Sequence, residues 1–406
     1  MSGITSVPSR STPTLDNVKG DLEVGRHAVV KGSSSPPKVT VSGGVHCEGD
    51  DTFECSLSAE DFEAEDSVTV HGDLDVRDEV EVEDGSLGVN GNMTAGKVDV
   101  DDTLHVGKNL SVEEVEVGGS LRVDGNVKAE DIDIGGSFEA KGEVVAERLE
   151  VGGSLRIRSR ADVRSLEVGG TASVAGGRIR EIDVGGTFES VSPLEFEEID
   201  VGGMVRLVGK NKGGEIEVGG SFRVEGDLDF KEIDVGGTVD ITGLTQGCHM
   251  EVGGRVDIVG SLELSGRLEV GGTVSVSEGI TARDIEIGGT VRARKIAAEE
   301  HVEVGGSITT SEGVTARTVE IGRRGEVHGP IKADRVIIER DAHAEDVYGK
   351  EILLRTGASA DNIFGQRITI ESHCDVTGEV QYTDELRVAE KVSLSKQPQR
   401  VDKLPF

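Results

Sequence analysis

Acidic residues recur along this sequence at a nearly constant interval, each one between two apolar residues. The phrases "VEVGGSLRV" at 115–123, "DIDIGGSFEA" at 131–140 and "RLEVGGSLRIRS" at 148–159 show the pattern. Sixteen consecutive repeats carry an acid at this position, from Glu63 to Glu320, at steps of 16 to 18 residues. The central members of this acidic column are Glu116, Asp133, Glu150, Glu167, Asp183, Asp200, Glu217 and Asp234.

A row of carboxylates could bind hard cations, because carboxylate oxygens are among the ligands that Ca²⁺ prefers. Calcium-binding repeats carry G-G-x-G-x-D with a period of about nine residues. This chain instead carries V-G-G-S-L-R-V with a period of 17. We therefore expect weak, nonspecific cation binding at most, and we interpret the acids as a solvated face suited to molar salt.

Histidine and cysteine are the other residue types that could hold a metal ion. Three of the four cysteines adjoin a histidine, in the pairs His46-Cys47, Cys248-His249 and His373-Cys374. Neighbouring residues in a strand point to opposite faces, so such a pair cannot form one ligand site. We expect no metal site and no cofactor, and we expect the cysteines to be small apolar core residues.

Two classes of β-helix enzyme are alternatives to a non-catalytic protein. A hexapeptide-type acyltransferase would show a steadier step of about 18 residues and an extruded loop with a catalytic histidine. Here no long loop interrupts 98–322, and His301, His328 and His343 lie at strand starts or near the faces. A polysaccharide-cleaving enzyme would gather carboxylates in a groove with aromatic platforms, but only 3% of the residues are aromatic. We expect no enzymatic activity.

The elements that must position these residues are short strands. Apolar residues occur as i, i+2 couples, the spacing of a strand that shows one face to a core. One repeat contains the couples Val115/Val117, Leu121/Val123 and Val127/Ala129, separated by Gly118-Gly119, Asp124-Gly125 and Glu130-Asp131. Turn-forming residues at all three gaps predict three corners. The fold class is therefore predicted to be all-β, a single-stranded triangular parallel β-solenoid of about 17 residues per coil, with the Gly-Gly corner in a left-handed or strained conformation.

The charge of the chain excludes whole classes of partner. Asp and Glu total 77 against 43 Lys and Arg, which gives a formal net charge of -34, and only 16 of the basic residues are Lys. Nucleic acids and anionic membranes need a basic footprint, so we expect no nucleic-acid partner and membrane contact only through another protein. An acidic, Lys-poor composition resembles that of salt-in halophilic archaeal proteins, whose self-repulsion molar salt screens. The polar N-terminal residues predict a cytoplasmic protein, and no apolar run is long enough to span a membrane.

Beyond Glu320 the outward position of the first strand is no longer acidic. It becomes Ile337, Leu353, Thr369 and Arg387. The third strands there read "DVYGK" and "NIFGQ", which places Tyr348 and Phe364 in register and facing outward. We expect an exposed apolar stripe, with Ile337, Tyr348, Leu353 and Phe364 as the candidate assembly or partner surface. A C-terminal tail that folds back over the stripe is an equal alternative.

These patterns divide the chain into four predicted segments. They are a disordered or irregular segment at 1–38, an acidic 17-residue-coil solenoid at 39–322, a second solenoid with 16–17-residue coils at 323–394, and a flexible tail at 395–406. The Ser/Thr/Pro-rich composition of the first residues and the interruption "GSSSPPK" at 32–38 are the basis for the first segment.

The segment 323–394 resembles the bactofilins, a family of polymer-forming cytoskeletal proteins. The resemblance rests on "GEVHGPIKADRVIIERDAHAEDVYGKEILLRTGASADNIFGQRITIESHCDVTGEVQY", extends more loosely to the 17-residue coils, and with the acidic composition points to haloarchaeal, halofilin-type members. It implies a right-handed β-helix between short disordered tails, nucleotide-independent nonpolar filament assembly through the solenoid ends, and a scaffold role in cell shape, at the cell cortex or elsewhere in the cytoplasm.

The resemblance leaves the mode of assembly open, because the chain is several times longer than a typical bactofilin core. The partner is then a second copy of this chain or another bactofilin-type protein. In the alternative, the chain is a spacer or cap for other bactofilin filaments and does not polymerise. An extracellular surface rod is less favoured.

Overall fold

Stacked parallel strands form the whole of the structure. The computed structural model describes residues 3–405, and this part of the chain contains strands, turns and bends with no helix. In each unit the strands stack as a β-solenoid with about 17 residues per turn, and the two units together have about 23 turns. The predicted all-β parallel β-solenoid is thus confirmed. The chain divides into two compact units, Met1–Gly202 and Gly203–Phe406.

The strands are numbered β1 to β55 in chain order. Those of the first unit, β1 to β31, are Ile4–Val7, Thr14–Leu15, Asn17–Val18, Asp21–Val24, Val29–Gly32, Lys38–Val41, Val45–Cys47, Asp51–Glu54, Ser56–Ala59, Phe62–Ala64, Val68–Val70, Leu74–Val76, Glu79–Val82, Leu87–Val89, Met93–Thr94, Lys97–Val100, Thr103–Val106, Leu110–Ser111, Glu114–Val117, Ser120–Val123, Val127–Lys128, Asp131–Ile134, Ser137–Ala140, Val144–Val151, Ser154–Ile157, Ala161–Val168, Thr171–Val174, Gly177–Val184, Thr187–Ser190, Leu194–Glu195 and Glu198–Val201.

The strands of the second unit follow the same order. Strands β32 to β55 are Met204–Val208, Asn211–Lys212, Glu215–Val218, Ser221–Glu225, Leu228–Asp229, Glu232–Val235, Thr238–Thr242, Thr245–Gly247, His249–Val252, Arg255–Val259, Leu262–Leu264, Arg267–Val270, Thr273–Ile287, Thr290–Val304, Ser307–Thr309, Val314–Ile321, Glu326–His328, Ile331–Ile338, His343–Leu354, Ser359–Ile370, Asp375–Val376, Val380–Val388, Ser393–Leu394 and Gln399–Arg400.

Three strands make one coil, and each pairs in parallel with its counterpart in the next coil. In one coil these are β19 on the first face, β20 on the second and β21 on the third. Their inward residues stack directly on those of the following coil, Val115 on Ile132, Leu121 on Phe138 and Val127 on Val144. All six side chains are buried, so the core is a set of apolar columns. Along one column of the second face, the stacked side chains of Phe138, Leu155, Ala172 and Phe188 differ in size and fill the interior together.

The Gly-Gly corner differs from the sequence prediction in its physical cause. Neither Gly135 nor Gly136 has a positive φ, so no left-handed backbone requires glycine there. A Cβ atom on Gly135 would lie 2.4 Å from the carbonyl oxygen of Gly118, and one on Gly136 would lie 2.4 Å from that of Gly119. Glycine is required because the corners of successive coils touch through bare backbone. Left-handed glycines occur instead at another corner of the second unit, as at Gly226 with φ 138.

The predicted disordered or irregular segment at 1–38 is corrected from residue 3 onward. Strand β1 pairs with β4, with Val7 opposite Val24, and both side chains are buried. The segment lies in the solenoid because β1 and β4 keep the 17-residue step. The interruption is an exposed loop at 33–37 between the second and third faces. It lengthens one coil, so that Leu22 pairs with Val45, a step of 23 residues. Residues 1–2 lie outside the described part.

At residue 323, where the sequence predicts a second solenoid segment, the corner between the first and second faces changes. The Gly-Gly corner of the preceding coils gives way to a four-residue turn with one left-handed residue per coil, in turn Arg324, Asp341, Gly357, His373 and Lys391. The same turn occurs in the first coils, at Arg10, His27 and Asp50. Within the predicted tail at 395–406, Gln399–Arg400 form β55, which pairs with β53.

Substituting alanine at one Gly-Gly corner tests the steric cause. A Cβ atom on Gly152 would lie 2.4 Å from the carbonyl oxygen of Gly135. Since the coils must move apart to admit it, we expect Gly152→Ala to lower the free energy of unfolding by about 2 kcal/mol, measured by chemical denaturation.

Gly88→Ala is the matched control in the same unit. Gly88 lies in strand β14, has no positive φ, and a Cβ atom there would have Thr69 Oγ1 as its nearest neighbour at 3.8 Å. We expect this variant to unfold at the wild-type denaturant concentration or slightly above it. Equal losses in the two variants would contradict the close-approach explanation.

Candidate functional site

The acidic column is continuous along the first face of the first unit. Register places Glu116 on Asp133, Asp133 on Glu150 and Glu150 on Glu167, and the column continues through Asp183 to Asp200. In the other direction it runs through Asp99 and Glu81 to Glu63. The six candidates of this unit are exposed. Each carboxylate therefore has a carboxylate neighbour one strand spacing away, roughly 4.8 Å.

The second unit carries a column of the same kind. Glu217 lies on Asp234 and Asp234 on Glu251, and both sequence candidates are exposed. The column continues through Glu269, Glu286, Glu303 and Glu320. Register then places Glu320 against Ile337. The acidic row thus ends where the sequence indicates.

The first-unit column also contains His46 and Glu23, which the sequence prediction omits. His46 lies in register with Glu63 on one side and with Glu23 on the other. Its Nδ1 is 3.4 Å from a Glu63 carboxylate oxygen and its Nε2 is 3.8 Å from Glu65. A signal was present in the sequence, since Val45 and Cys47 flank His46 as apolar residues flank each acid. The 23-residue step between Glu23 and His46 hides it.

Burial, followed by repulsion from nearby carboxylates, raises the pKa of two acids in the column, Glu81 and Glu320. Partial burial raises the pKa of Glu81, and the charges of Glu79, Glu83, Glu63 and Asp99 raise it further. Burial, followed by Glu303 and Glu339, raises the pKa of Glu320. In both cases the protein disfavours the ionised form, as expected for like charges in a row.

The outward column of the second face has the opposite electrostatics. Arg122 Nη1 donates to Glu139 Oε2 at 3.1 Å, and Arg158 Nε donates to Glu139 Oε1 at 2.8 Å. The hydrogen bond from Arg158 is the largest cause of the lowered pKa of Glu139, and the positive charges of Arg158, Arg122 and Arg156 add to it. This face pairs its charges, whereas the first face repeats one sign.

Near the end of the first unit, further acidic residues flank the column. Around a shallow depression of about 260 Å³, Glu181 and Glu198 stand beside Glu167, Asp183 and Asp200. Among residues 3–405, no group of three or more His, Cys, Asp or Glu side chains has the arrangement to hold a metal ion. The carboxylates around the depression form a diffuse negative surface.

The four candidates for an assembly surface form two separate pairs. Ile337 and Leu353 are register neighbours on the first face and are half-buried. Tyr348 and Phe364 are register neighbours on the third face, with ring centroids 5.0 Å apart and planes at 12°. Lys332 Nζ lies 5.6 Å from the Tyr348 ring centroid.

The predicted exposed stripe is corrected at Phe364. Its side chain is only 9% exposed because it stacks on Tyr348 and lies in register with Gln381 of the next coil. Burial, and then the charge of Asp346, raises the pKa of Tyr348. The aromatic pair packs within the solenoid wall and leaves little apolar area for a partner.

Three cysteines lie in the core, and His343 contacts a residue of the next coil. Cys47, Cys55 and Cys374 are buried, and burial raises the pKa of Cys47 well above its ordinary value and that of Cys55 to about 11. These thiols are therefore poor nucleophiles at neutral pH. His343 Nδ1 lies 3.0 Å from Ser359 Oγ, a contact between register neighbours in successive coils.

The last coil exposes residues that are core elsewhere. We call Leu386, Val388, Val392 and Leu394 the C-terminal end face. Val388 is 43% exposed, whereas Ile370, its register partner in the preceding coil, is 1% exposed. Leu386, Val392 and Leu394 are half-exposed, although Leu394 lies in register with the buried Val376. An apolar surface of this kind favours contact with another coil.

At the other end of the described chain, β1 pairs with β4 along one edge. Its inward residues are Thr5 and Val7, and the outward Ile4 is 63% exposed. This edge is more polar than the C-terminal end face.

No protein-family model, curated protein or solved structure matches the chain. Within residues 3–405, there is no helix with the length and hydrophobicity to cross a membrane.

We expect both units to lose thermal stability when salt falls from molar to about 0.1 M. Like charges roughly 5 Å apart repel by about 0.8 kcal/mol per neighbouring pair in water, before screening by salt. The measurement is the melting temperature by circular dichroism at several KCl concentrations. A melting temperature that does not change over this range would contradict adaptation of the acidic column to high salt.

A pair of charge-neutralising variants tests the two faces separately. Folding raises the pKa of Glu81, so its ionised form opposes folding at neutral pH, and this cost disappears as pH falls through the folded-state pKa. We expect Glu81→Gln to raise the free energy of unfolding by roughly 0.5 kcal/mol at about 0.1 M salt and by less in molar salt. Urea denaturation at neutral pH measures both.

Glu139→Gln is the control and should have the opposite sign. Folding lowers the pKa of Glu139, so its ionised form stabilises the protein above the unfolded-state pKa, and this contribution is lost as pH falls through the folded-state pKa. We expect a loss of similar size at neutral pH. Shifts of the same sign in both variants would contradict the electrostatic contrast between the faces.

Proposed function

We propose that this protein is a non-catalytic structural scaffold that assembles end to end into filaments or rods. The observation that carries the proposal is the exposure of core-type residues at the C-terminal end face. Val388 is 43% exposed in a column whose preceding members, Ile338, Leu354 and Ile370, are buried. One more coil stacked on this face would bury it.

The chemistry of the side walls disfavours lateral contact and so favours association through the ends. Their backbone N–H and C=O groups bond from coil to coil within each unit, for example Gly136 N to Gly119 O at 2.9 Å. The first face also presents a row of carboxylates, and the net charge of the chain is -34. Side-by-side contact would bring like charges together, whereas end contact buries apolar area.

The resemblance to bactofilins supports the same proposal and extends it. The partner is then a second copy of this chain or another bactofilin-type protein, and the cellular role is support of cell shape from the cytoplasm or the cell cortex. The burial of Leu404, which follows the last strand, favours a second candidate function as a spacer or cap that terminates other filaments.

Electron microscopy and sedimentation of the purified chain in molar salt test the proposal. We expect filaments from the wild type and discrete particles from Val388→Asp, because an end face with a buried carboxylate cannot stack on another coil. Val259→Asp is the matched control, since Val259 is an outward residue of the side wall and is 65% exposed.

Circular dichroism separates loss of assembly from loss of fold. All three chains should show the same strand spectrum, and Val259→Asp should form wild-type filaments. Filaments of normal length from a folded Val388→Asp chain would contradict assembly through this face. Discrete wild-type particles that bind to the ends of filaments of another protein would favour the cap.

A further inference from the structure

The outer surface of the first face changes character in the last coils of the second unit. After Glu320, the middle outward column of this face is no longer acidic and becomes Ile337, Leu353 and Thr369. Charged residues stand on both sides of this column in each coil. We call these nine residues the first-face patch: Arg335, Ile337 and Glu339, then Glu351, Leu353 and Arg355, then Arg367, Thr369 and Glu371.

Charges alternate in sign along one flank of the patch. Arg335 lies in register with Glu351, and Glu351 lies in register with Arg367. The Arg367 guanidinium donates to a Glu351 carboxylate oxygen, and this hydrogen bond is the largest cause of the lowered pKa of Glu351.

The opposite flank alternates in the reverse order. Arg355 Nε lies 3.6 Å from Glu339 Oε1, and Arg355 Nη1 donates to Glu371 Oε1 at 3.1 Å. Within one coil the two flanks therefore carry opposite signs, as Arg335 and Glu339 do. The patch has no net charge, on a chain whose net charge is -34.

The patch has the composition of a protein interface. Ile337 and Leu353 are half-buried neighbours at its centre, and charged side chains form its rim. An apolar centre with a polar rim is the usual anatomy of such surfaces. The like-charge repulsion that opposes lateral contact along the acidic column is absent here.

Charge complementarity selects the orientation of a second copy. If two first faces met with parallel solenoid axes and coils in register, each acid of the column, such as Glu286 or Glu303, would face its own counterpart. An antiparallel copy, centred between the coils of Ile337 and Leu353, avoids this. Ile337 then faces Leu353 of the second copy, and the apolar residues meet at the centre.

The charges around this centre match in the antiparallel arrangement. Arg335 faces Glu351 of the second copy, and Glu339 faces Arg355 of the second copy. Opposite charges face each other at all four of the resulting contacts, because the arrangement is two-fold symmetric.

The coils further out match as well. Register places Glu320 one coil before Ile337, so it faces Thr369 of the second copy. One coil earlier, Glu303 faces Arg387. Glu286 and the earlier acids of the second unit lie past the last first-face strand of the second copy. No carboxylate of the column faces another.

We propose that the first-face patch is a docking surface for a second copy of this chain, which pairs with it face to face and in antiparallel orientation. This inference goes beyond end-to-end assembly and does not depend on it, because the patch lies on a side wall. In a filament, the same contact joins two filaments side by side.

An end-blocked chain isolates the lateral contact. Leu394→Asp places a carboxylate on the second-face part of the C-terminal end face and leaves the first face unchanged. We expect this chain to form a dimer in molar KCl, measured by sedimentation equilibrium, since salt screens the rim charges but not the apolar centre. A monomer over the whole soluble concentration range would overturn the proposal.

Variants of the two central residues test the orientation in the end-blocked chain. We expect Ile337→Lys alone and Leu353→Glu alone each to raise the dimer dissociation constant at least about tenfold, because each buries an unpaired charge. The two substitutions in one chain should return it to within about threefold of the end-blocked parent, because the antiparallel arrangement sets the new lysine opposite the new glutamate. A double variant as weak as the single variants would overturn the antiparallel pairing.

Val259→Glu is the matched control. Val259 is an outward residue of the same unit, lies outside the patch and is 65% exposed. We expect its dimer dissociation constant to equal that of the end-blocked parent. Circular dichroism of each variant confirms that the solenoid is folded.

The outcomes separate this inference from the proposed function. A monomeric end-blocked chain, together with single wild-type filaments in electron micrographs, would overturn lateral pairing and leave the scaffold proposal intact. A wild type that forms dimers and no filaments, and that Leu353→Glu converts to monomers, would overturn the scaffold proposal and support lateral pairing.

Discussion

Parallel hydrogen bonding between successive coils is the interaction on which the rest of each unit depends. It holds every residue directly over its counterpart, so each side-chain type repeats along a column. The rule has three outcomes in one coil. Stacked Val115 and Ile132 exclude water, stacked glycines let the corners touch, and stacked Glu116 and Asp133 repel each other. The register that builds the core therefore also creates the least favourable electrostatics of the surface.

The contrast between walls and ends follows from the same bonding. In a side wall, the backbone N–H and C=O groups already form hydrogen bonds within the unit, so the outward side chains can carry charge. At an end, the strands of the last coil form backbone hydrogen bonds along one edge only. Their inward side chains are of the same type as those of the core. For this reason Val388 is 43% exposed, whereas Ile370, its register partner in the preceding coil, is 1% exposed.

The repeating part of the fold could be predicted from the sequence because the period-2 couples and the 17-residue step are visible in the residue types. The position of Glu150 in its column, for example, follows from Leu149, Val151 and the glycines after them. Contacts between coils were harder to predict. The glycines are needed because of backbone in the coil beneath, not because of their own φ, and Phe364 is buried because Tyr348 stacks on it. His46 and the first coils escaped prediction because one coil has an altered step.

That altered coil shows how the architecture treats extra sequence. Residues 33–37 leave the wall between the second and third faces, and the chain then resumes its register, with Val39 opposite Leu57. The bonding pattern constrains where a strand must restart and leaves the length of the path between strands open. In a solenoid of this kind, the strands of each turn must stack in register, whereas the number of residues in a turn can vary. Its corners are therefore the places where a lineage can add new surface, residue by residue, without rebuilding the interior.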